Sequence, residues 1–147
     1  MRAPFLLGRL LFGGYFIVSG INHFKNKGQM TQYTAAKSVP KPEVAVTATG
    51  AALIAGGASI LFGVKPKLGS AGLVGFLLAV SPIMHNFWKQ EDEQQRMNDA
   101  VNFMKNLALA GGALALMAVE EPWPASVPVM KASRVNRAKR FLHEVAA

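Results

Sequence analysis

The sequence contains no cysteine, so disulfide bonds, thiol redox chemistry and thiolate metal sites are excluded. Acidic residues are also scarce: eight Asp and Glu stand against 16 Lys and Arg, which gives a formal net charge of +8. The long apolar segments described below hold no carboxylate and no closely spaced pair of histidines. No serine or carboxylate nucleophile stands in a recognisable catalytic arrangement. We therefore expect no metal site built by this chain alone, and the sequence favours a non-catalytic protein over an enzyme.

What the chain has instead is four long apolar segments, with its charge gathered between them. A helix needs roughly 20 residues to cross a hydrocarbon core of about 30 Å. Residues 4–21, 44–64, 68–88 and 100–119 reach or approach that length. Arg9 and Lys105 lie near segment ends, where the stem of a long side chain can reach the membrane interface. The pattern predicts an all-α protein, a transmembrane four-helix bundle in contact with the lipid bilayer.

The predicted four-helix transmembrane domain covers residues 1–119, and a Pro-rich hinge with a basic amphipathic tail covers residues 120–147. In the tail, apolar residues recur at helical spacing between five basic ones: Lys131, Arg134, Arg137, Lys139 and Arg140. Such a helix suits an anionic membrane surface, and an ordinary solvated tail is the alternative. In a membrane protein, a basic surplus indicates contact with anionic lipid headgroups rather than with nucleic acid.

The connections between the segments differ in character. After the first segment, Met30, Tyr33 and Ala36 lie on one side of a short predicted interfacial helix. Residues 89–99 are strongly polar, and we expect them to sit in water. Nine basic residues lie near the span ends on the side of the two termini and seven on the opposite side. By the positive-inside rule, the sequence predicts that both termini lie in the cytoplasm.

Small residues recur at every fourth position along three of the segments. The stripes are Ala51, Ala55, Ser59 and Gly63; Ala71, Gly75 and Ala79; and Gly111 with Ala115. In lipid, where no hydrophobic effect drives helix pairing, such stripes let helix backbones approach closely. Two interpretations stay open: tight packing within the bundle, or a helix face that contacts a partner subunit.

Two segments end in similar polar sequences, INHFK at residues 21–25 and HNFWK at residues 85–89. Because the first and third helices of an up-down bundle run in the same direction, these ends are expected at one membrane face. The fourth helix begins at that face. The predicted cofactor-contacting residues are therefore Asn22, His23, His85, Asn86, Lys105 and Asn106.

This polar end is compatible with several kinds of chemistry. A neutral imidazole can ligate haem iron or the magnesium of a chlorophyll-type pigment, pass protons, or hydrogen-bond a quinone carbonyl. A polar group in the membrane is costly unless it is partnered, so the cluster needs an explanation. The alternative is that these residues only cap helices and anchor at headgroup depth. His143, in the tail, is interpreted as a surface residue.

Four stretches of the sequence occur in an informative order. They are GRLLFGGYFIVSGINHFKN at the start, VPKP before the second segment, MHNFW at the close of the third, and NFMKNLALAGG in the fourth. In these stretches and in its four-span layout, over roughly residues 5–119, the chain resembles the DoxX-like (DoxX/DoxD) membrane proteins. The resemblance implies a four-helix bundle of a bacterial or archaeal cytoplasmic membrane. Some members are associated with redox complexes, including thiosulfate:quinone oxidoreductase, while many have no assigned activity.

The chain departs from this family at one place. Members often carry a glutamate in the second helix, just before a Gly-Gly pair, whereas residues 50–57 here read GAALIAGG. The leading hypothesis is a non-catalytic accessory or scaffold subunit of a larger, electron-transfer membrane complex. The alternatives are an oxidoreductase subunit that contacts quinone at His23 and His85, and an accessory chain in which one of these histidines binds haem or a pigment.

The tail yields a first prediction. Deleting residues 129–147 should leave membrane insertion intact, because the four predicted spans remain. It should weaken assembly with other membrane subunits, because the basic tail is predicted to hold the chain at the anionic membrane surface. Co-purification in mild detergent, analysed by mass spectrometry for the full and shortened chains, measures this. Complexes that form undiminished without the tail would show that it is not an assembly element.

Overall fold

The computed structural model describes residues 2–127, with the side chain of Arg2 left out. Its elements are α1 (Arg2–Lys25), α2 (Lys27–Ala36), α3 (Pro42–Phe62), α4 (Pro66–Met84), a 3-10 turn (Phe87–Lys89) and α5 (Glu93–Met117). Within this part of the chain, four helices are long and apolar enough to cross a membrane: α1, α3, α4 and α5. The all-α, four-span prediction is therefore confirmed. The predicted amphipathic tail, from residue 128 onward, lies outside the described residues.

The helix boundaries have local chemical causes. Pro42 and Pro66 occupy the first turns of α3 and α4, where a missing N–H costs no hydrogen bond. At the other end of α3, Gly63 adopts a left-handed conformation with φ of 67°, which glycine tolerates best. There the backbone N–H of Val64 donates to the carbonyl of Ser59 at 3.0 Å and closes the helix.

The fourth spanning helix begins earlier than the sequence indicated. It was expected near residue 100, but α5 starts at Glu93, where the Asp92 carboxylate accepts a hydrogen bond from the backbone N–H of Gln95 at 2.7 Å. This is an N-cap, which supplies an acceptor for an amide that has no partner within the helix. Hydropathy locates the bilayer-crossing part of a helix, not the polar turns that extend it.

The helices α1 and α3 run antiparallel and approach each other at two pairs of glycines. A Cβ on Gly13 would lie 2.7 Å from the carbonyl oxygen of Gly57, and a Cβ on Gly20 would lie 2.6 Å from that of Gly50. Only glycine fits at such distances. The two glycines on each helix stand seven residues apart, so they lie on one face and form two matching contacts.

The alanine-rich stripes do not make these contacts. The following members of the stripes are exposed rather than buried between helices: Ala51, Ala55, Ala71, Gly75, Ala79, Gly111 and Ala115. Packing within the bundle is therefore the wrong interpretation for these residues. The hydrophobic core lies instead between the helices, around Phe16, Leu53, Ile60, Leu73 and Leu77.

Arg9 holds the opposite end of the bundle from the two histidines. It was expected to extend toward the interface, but it is only 2% exposed. Its guanidinium donates to the carbonyls of Ile60 at 3.1 Å and Leu61 at 2.8 Å, and to the carbonyl of Pro124. The first two carbonyls belong to the last turn of α3, where helical backbone partners run out. The carbonyl of Ile60 also accepts from the backbone N–H of Gly63 at 3.3 Å, and Arg9 supplies the further donors. Arg9 thus caps α3 and joins it to the segment after α5.

The segment after α5 packs on the bundle as far as it is described. Trp123 is 2% exposed and lies edge-on against Phe5, with ring centroids 5.3 Å apart. The backbone N–H of Val127 donates to the carbonyl of Phe62 at 2.9 Å. The first part of the predicted hinge, residues 120–127, therefore lies against the ends of α1 and α3.

The glycine contacts make a testable prediction. Gly13→Ala should lower the stability of the bundle by about 1–3 kcal/mol, because the added methyl group must push α1 and α3 apart. Gly14→Ala is the matched control, since a Cβ there meets nothing within 4 Å and alanine favours a helix. Thermal unfolding in one detergent measures both variants. Equal melting temperatures would contradict the close packing.

The Arg9 contacts make a second prediction. Arg9→Met keeps a long apolar side chain but removes every donor, so three backbone carbonyls lose a charged partner. We expect a loss of at least about 2 kcal/mol in the free energy of unfolding. Lys67→Met, at an exposed position, is the control for a lost positive charge. If the two variants unfold alike, Arg9 does not hold the two segments together.

Candidate functional site

The two histidines predicted at one membrane face do meet there. His23, near the end of α1, and His85, just after α4, both line a cavity of about 370 Å³. This confirms that the first and third spans end at the same side. The name "histidine cavity" is used below for this space. Its volume is near the lower limit for small-molecule pockets, about 300–1,000 Å³.

The histidine cavity is apolar over most of its wall and polar at several points. Helices α1, α3 and α4 contribute most of the lining, while α2 adds three residues and α5 adds one. Aliphatic and aromatic side chains, including Phe16, Leu53, Phe76, Leu77 and Val80, form the apolar part. The polar residues in the lining are Ser19, His23, Tyr33, Thr34, Thr49, His85 and Asn106. This combination suits an amphipathic ligand with a polar head group and an apolar body.

His23 is held by its own helix. Its Nδ1 lies 2.8 Å from the carbonyl oxygen of Ser19, one turn earlier. A carbonyl oxygen can only accept, so the imidazole donates through Nδ1. Its Cβ also lies close to α3, because a Cβ on Gly50 would be only 2.8 Å away from it. The ring is therefore positioned by the glycine contact between α1 and α3 as well as by this hydrogen bond.

His85 is held by Asp99, a residue that the sequence placed in a solvated connection. Asp99 instead lies in the second turn of α5 and is 2% exposed. Its Oδ1 is 3.3 Å from Nδ1 of His85, its Oδ2 accepts from the Gln90 amide at 2.8 Å, and Lys37 pairs with that oxygen at 3.5 Å. The expectation of no carboxylate within the spans is thus wrong for α5.

The sequence of α5 carries a signal for the burial of Asp99. Asp99, Asn106, Ala110 and Ala113 are the buried residues of α5, and their spacing of seven, four and three marks one face of a helix. If Asn106 faces the inside of the bundle, Asp99 faces the same way, because it lies two helical turns earlier on the same face of α5. The polarity of the surrounding residues concealed this, because hydropathy averages over all faces of a helix.

The predicted short helix is present as α2 and lies at this end of the bundle, where Met30 and Tyr33 line the cavity, whereas Ala36 is exposed and outside the lining. Lys37, directly after α2, donates to the side-chain oxygen of Asn86 at 3.3 Å and pairs with Asp99. The Tyr33 hydroxyl donates to the carbonyl of Met84 at 3.3 Å. Burial, followed by the negative charge of Asp99, raises the pKa of Tyr33, so the hydroxyl stays a donor at neutral pH.

The six predicted site residues take three different positions. His23, His85 and Asn106 line the histidine cavity. Asn86 lies beside it and accepts hydrogen bonds from Lys37 and from Gln90.

The remaining two predicted residues lie away from the cavity lining. Asn22 is exposed and accepts from the side chain of Asn26, while Lys105 is exposed and donates to Asn102 at 2.7 Å. Four residues outside the predicted cofactor-contacting set complete the site: Tyr33, Thr34, Thr49 and Asp99. Within residues 2–127, no three His, Asp or Glu side chains come together as a metal-binding group.

Comparison with known proteins supports the family seen in the sequence. The model of the DoxX family matches residues 5–86, more than half of the chain. No curated protein and no solved structure matches the chain. The matched range covers α1 to α4 with both cavity histidines, and it ends before Asp99 and Asn106. With four helices fit to cross a membrane, the chain belongs to the DoxX family and is an integral membrane protein.

Proposed function

We propose that this protein binds a quinone-class amphiphile in the histidine cavity and serves as an accessory subunit of an electron-transfer membrane complex. The observation that carries the proposal is the cavity itself: an apolar space near one membrane face, with several polar side chains in its wall. A lipid-soluble quinone has the matching form, with a polar ring on an apolar chain. The association of DoxX-like proteins with redox complexes supports the same class of ligand.

The residues of the cavity fit such a molecule. His23, His85 and Asn106 can hydrogen-bond the head group, and Phe16, Leu53 and their neighbours can contact its apolar chain. When bound, a quinone carries electrons and protons between proteins in the membrane. The work of this chain is then to bind and orient the head group and to keep it near the aqueous face.

The outer surface supports a role within a larger assembly. Exposed small residues continue along α3, α4 and α5, as at Ala51, Ala71 and Gly111. Such faces let a helix of another subunit approach closely in lipid. The basic tail adds a contact with anionic headgroups. We place the protein in a bacterial or archaeal cytoplasmic membrane with both termini in the cytoplasm, as the count of basic residues favours.

A second candidate is a haem- or pigment-binding accessory chain. A histidine that ligates a metal usually donates its other ring N–H to a carbonyl or a carboxylate. His23 and His85 each do this, to Ser19 and to Asp99. The modest volume of the cavity favours a single quinone ring over a tetrapyrrole. A Soret or chlorin absorption band in the purified protein would reverse this preference.

The proposed binding site can be tested by obstructing the cavity. Ala79 lines it yet is exposed, so Ala79→Phe fills the space with little strain elsewhere. We expect the affinity for decylubiquinone to fall at least about tenfold, equivalent to about 1.4 kcal/mol. Ala71→Phe is the matched control, since Ala71 is exposed on the same helix and lies outside the lining. Quenching of tryptophan fluorescence in detergent gives both affinities.

The outcomes of this experiment separate the candidates. Loss of binding in Ala79→Phe alone supports the histidine cavity as the quinone site. Equal binding by both variants would place any quinone elsewhere on the protein. Failure of the unaltered chain to bind either decylubiquinone or its quinol would remove the quinone-class ligand from the proposal.

A further inference from the structure

We infer that the histidine cavity selects head groups that carry a hydroxyl over head groups that only accept hydrogen bonds, and that Asp99 is the positioning residue that sets this preference at His85. The inference rests on the proposed function, because it requires an amphiphile in the cavity. It goes further by naming the chemical form of that ligand: a hydroquinol or another phenol rather than a quinone.

The first observation is the protonation of His23. A neutral imidazole carries one proton, either on Nδ1 or on Nε2. The carbonyl oxygen of Ser19, 2.8 Å from Nδ1, has no hydrogen to offer. The proton is therefore assigned to Nδ1 from this partner. That leaves Nε2 of His23 as a hydrogen-bond acceptor.

The second observation gives the same result for His85 through a different partner. Lys37 and Gln90 both direct their nitrogens at Oδ2 of Asp99, at 3.5 and 2.8 Å. The carboxylate is thus surrounded by donors, and its Oδ1 faces Nδ1 of His85 at 3.3 Å. A carboxylate in this setting accepts, so His85 donates through Nδ1 and keeps an unprotonated Nε2. In residues 2–127, nothing hydrogen-bonds to Nε2 of either ring.

Two acceptors in a largely apolar cavity discriminate between ligands. A quinone carbonyl placed against an unprotonated Nε2 would leave two acceptors without a donor. A hydroxyl donates to the same nitrogen and satisfies both groups. The hydroxyls of Tyr33 and Thr49 do not offset this, because they already donate to the backbone carbonyls of Met84 and Ala45. The hydroxyls of Ser19 and Thr34, whose residues also line the cavity, can donate or accept and favour neither form. The amide of Asn106 can serve as donor or acceptor and favours neither form.

Asp99 controls the preference without touching the ligand. If its carboxylate becomes an amide, the new N–H₂ group can donate to Nδ1 of His85. The ring can then carry its proton on Nε2 and present a donor to the cavity. A similar exchange of a carboxylate for an amide changes the tautomer of a catalytic histidine in serine proteases. The positioning role therefore predicts a change in selectivity, which a merely structural role does not.

The test uses two ligands that differ only in the hydroxyl and undergo no redox change. These are 4-octylphenol and its methyl ether, which accepts hydrogen bonds but cannot donate. Binding to the full chain in lipid nanodiscs is measured by calorimetry. We expect the phenol to bind at least about tenfold more tightly, and we expect Asp99→Asn to reduce this ratio to about three or below. Asp92→Asn is the control, since it makes the same charge change on α5 and asparagine also caps a helix.

A measurement without ligand keeps the two proposals separable. Nitrogen-15 NMR of labelled histidine should show the Nδ1–H tautomer for His23 and His85, with His143→Gln identifying the third histidine. Finding Nε2–H on both cavity rings overturns the inference even if Asp99→Asn fails to fold. Equal affinity for the phenol and its ether overturns the inference but leaves cavity binding intact. Binding of neither compound overturns this inference, whereas the proposed function is defeated if decylubiquinone and its quinol both fail to bind the unaltered chain.

Discussion

The close approach of α1 and α3 at two pairs of glycines is the contact on which the rest of the structure depends. The absence of side chains at Gly13 and Gly57, and at Gly20 and Gly50, lets the two backbones meet. This contact sets the positions of both polar ends of α1. At one end, His23 lies against Gly50 beside the cavity. At the other, Arg9 reaches the last carbonyls of α3. A wider spacing of these helices would disturb both ends together.

The two ends of the bundle each bury a charged side chain, Arg9 at one end and Asp99 at the other, and each charge has different partners. A charge in a low-dielectric surrounding must be partnered, or its burial becomes costly. Arg9 is satisfied mainly by backbone carbonyls and by the faces of two aromatic rings, so its end is closed and structural. Asp99 is satisfied by Lys37, Gln90 and His85, and its partner ring borders a cavity. Only the second arrangement leaves a polar atom available to a ligand.

The carboxylate of the site comes from an unexpected part of the chain. The second span has no acidic residue before its Gly-Gly pair, and the family match ends at residue 86. Asp99 is supplied by α5, the helix beyond that match. The histidine end therefore combines two residues from the matched region with a charge and an amide contributed by the fourth span. This composition underlies the inferred preference of the cavity for ligands that donate a hydrogen bond.

The sequence by itself determined the four spans and the face on which the histidines meet, because hydropathy and helix direction act along the chain without reference to neighbours. It also determined α2, whose spacing and flanking prolines are local signals. Only the tertiary structure decided that Asp99 and Arg9 are buried. The presence of a charged residue in the sequence does not reveal whether hydrogen-bonding partners from other helices will surround its side chain. It likewise decided that glycines rather than alanines join α1 to α3. The fit between two helix faces depends on atoms from both, and neither segment carries that information alone.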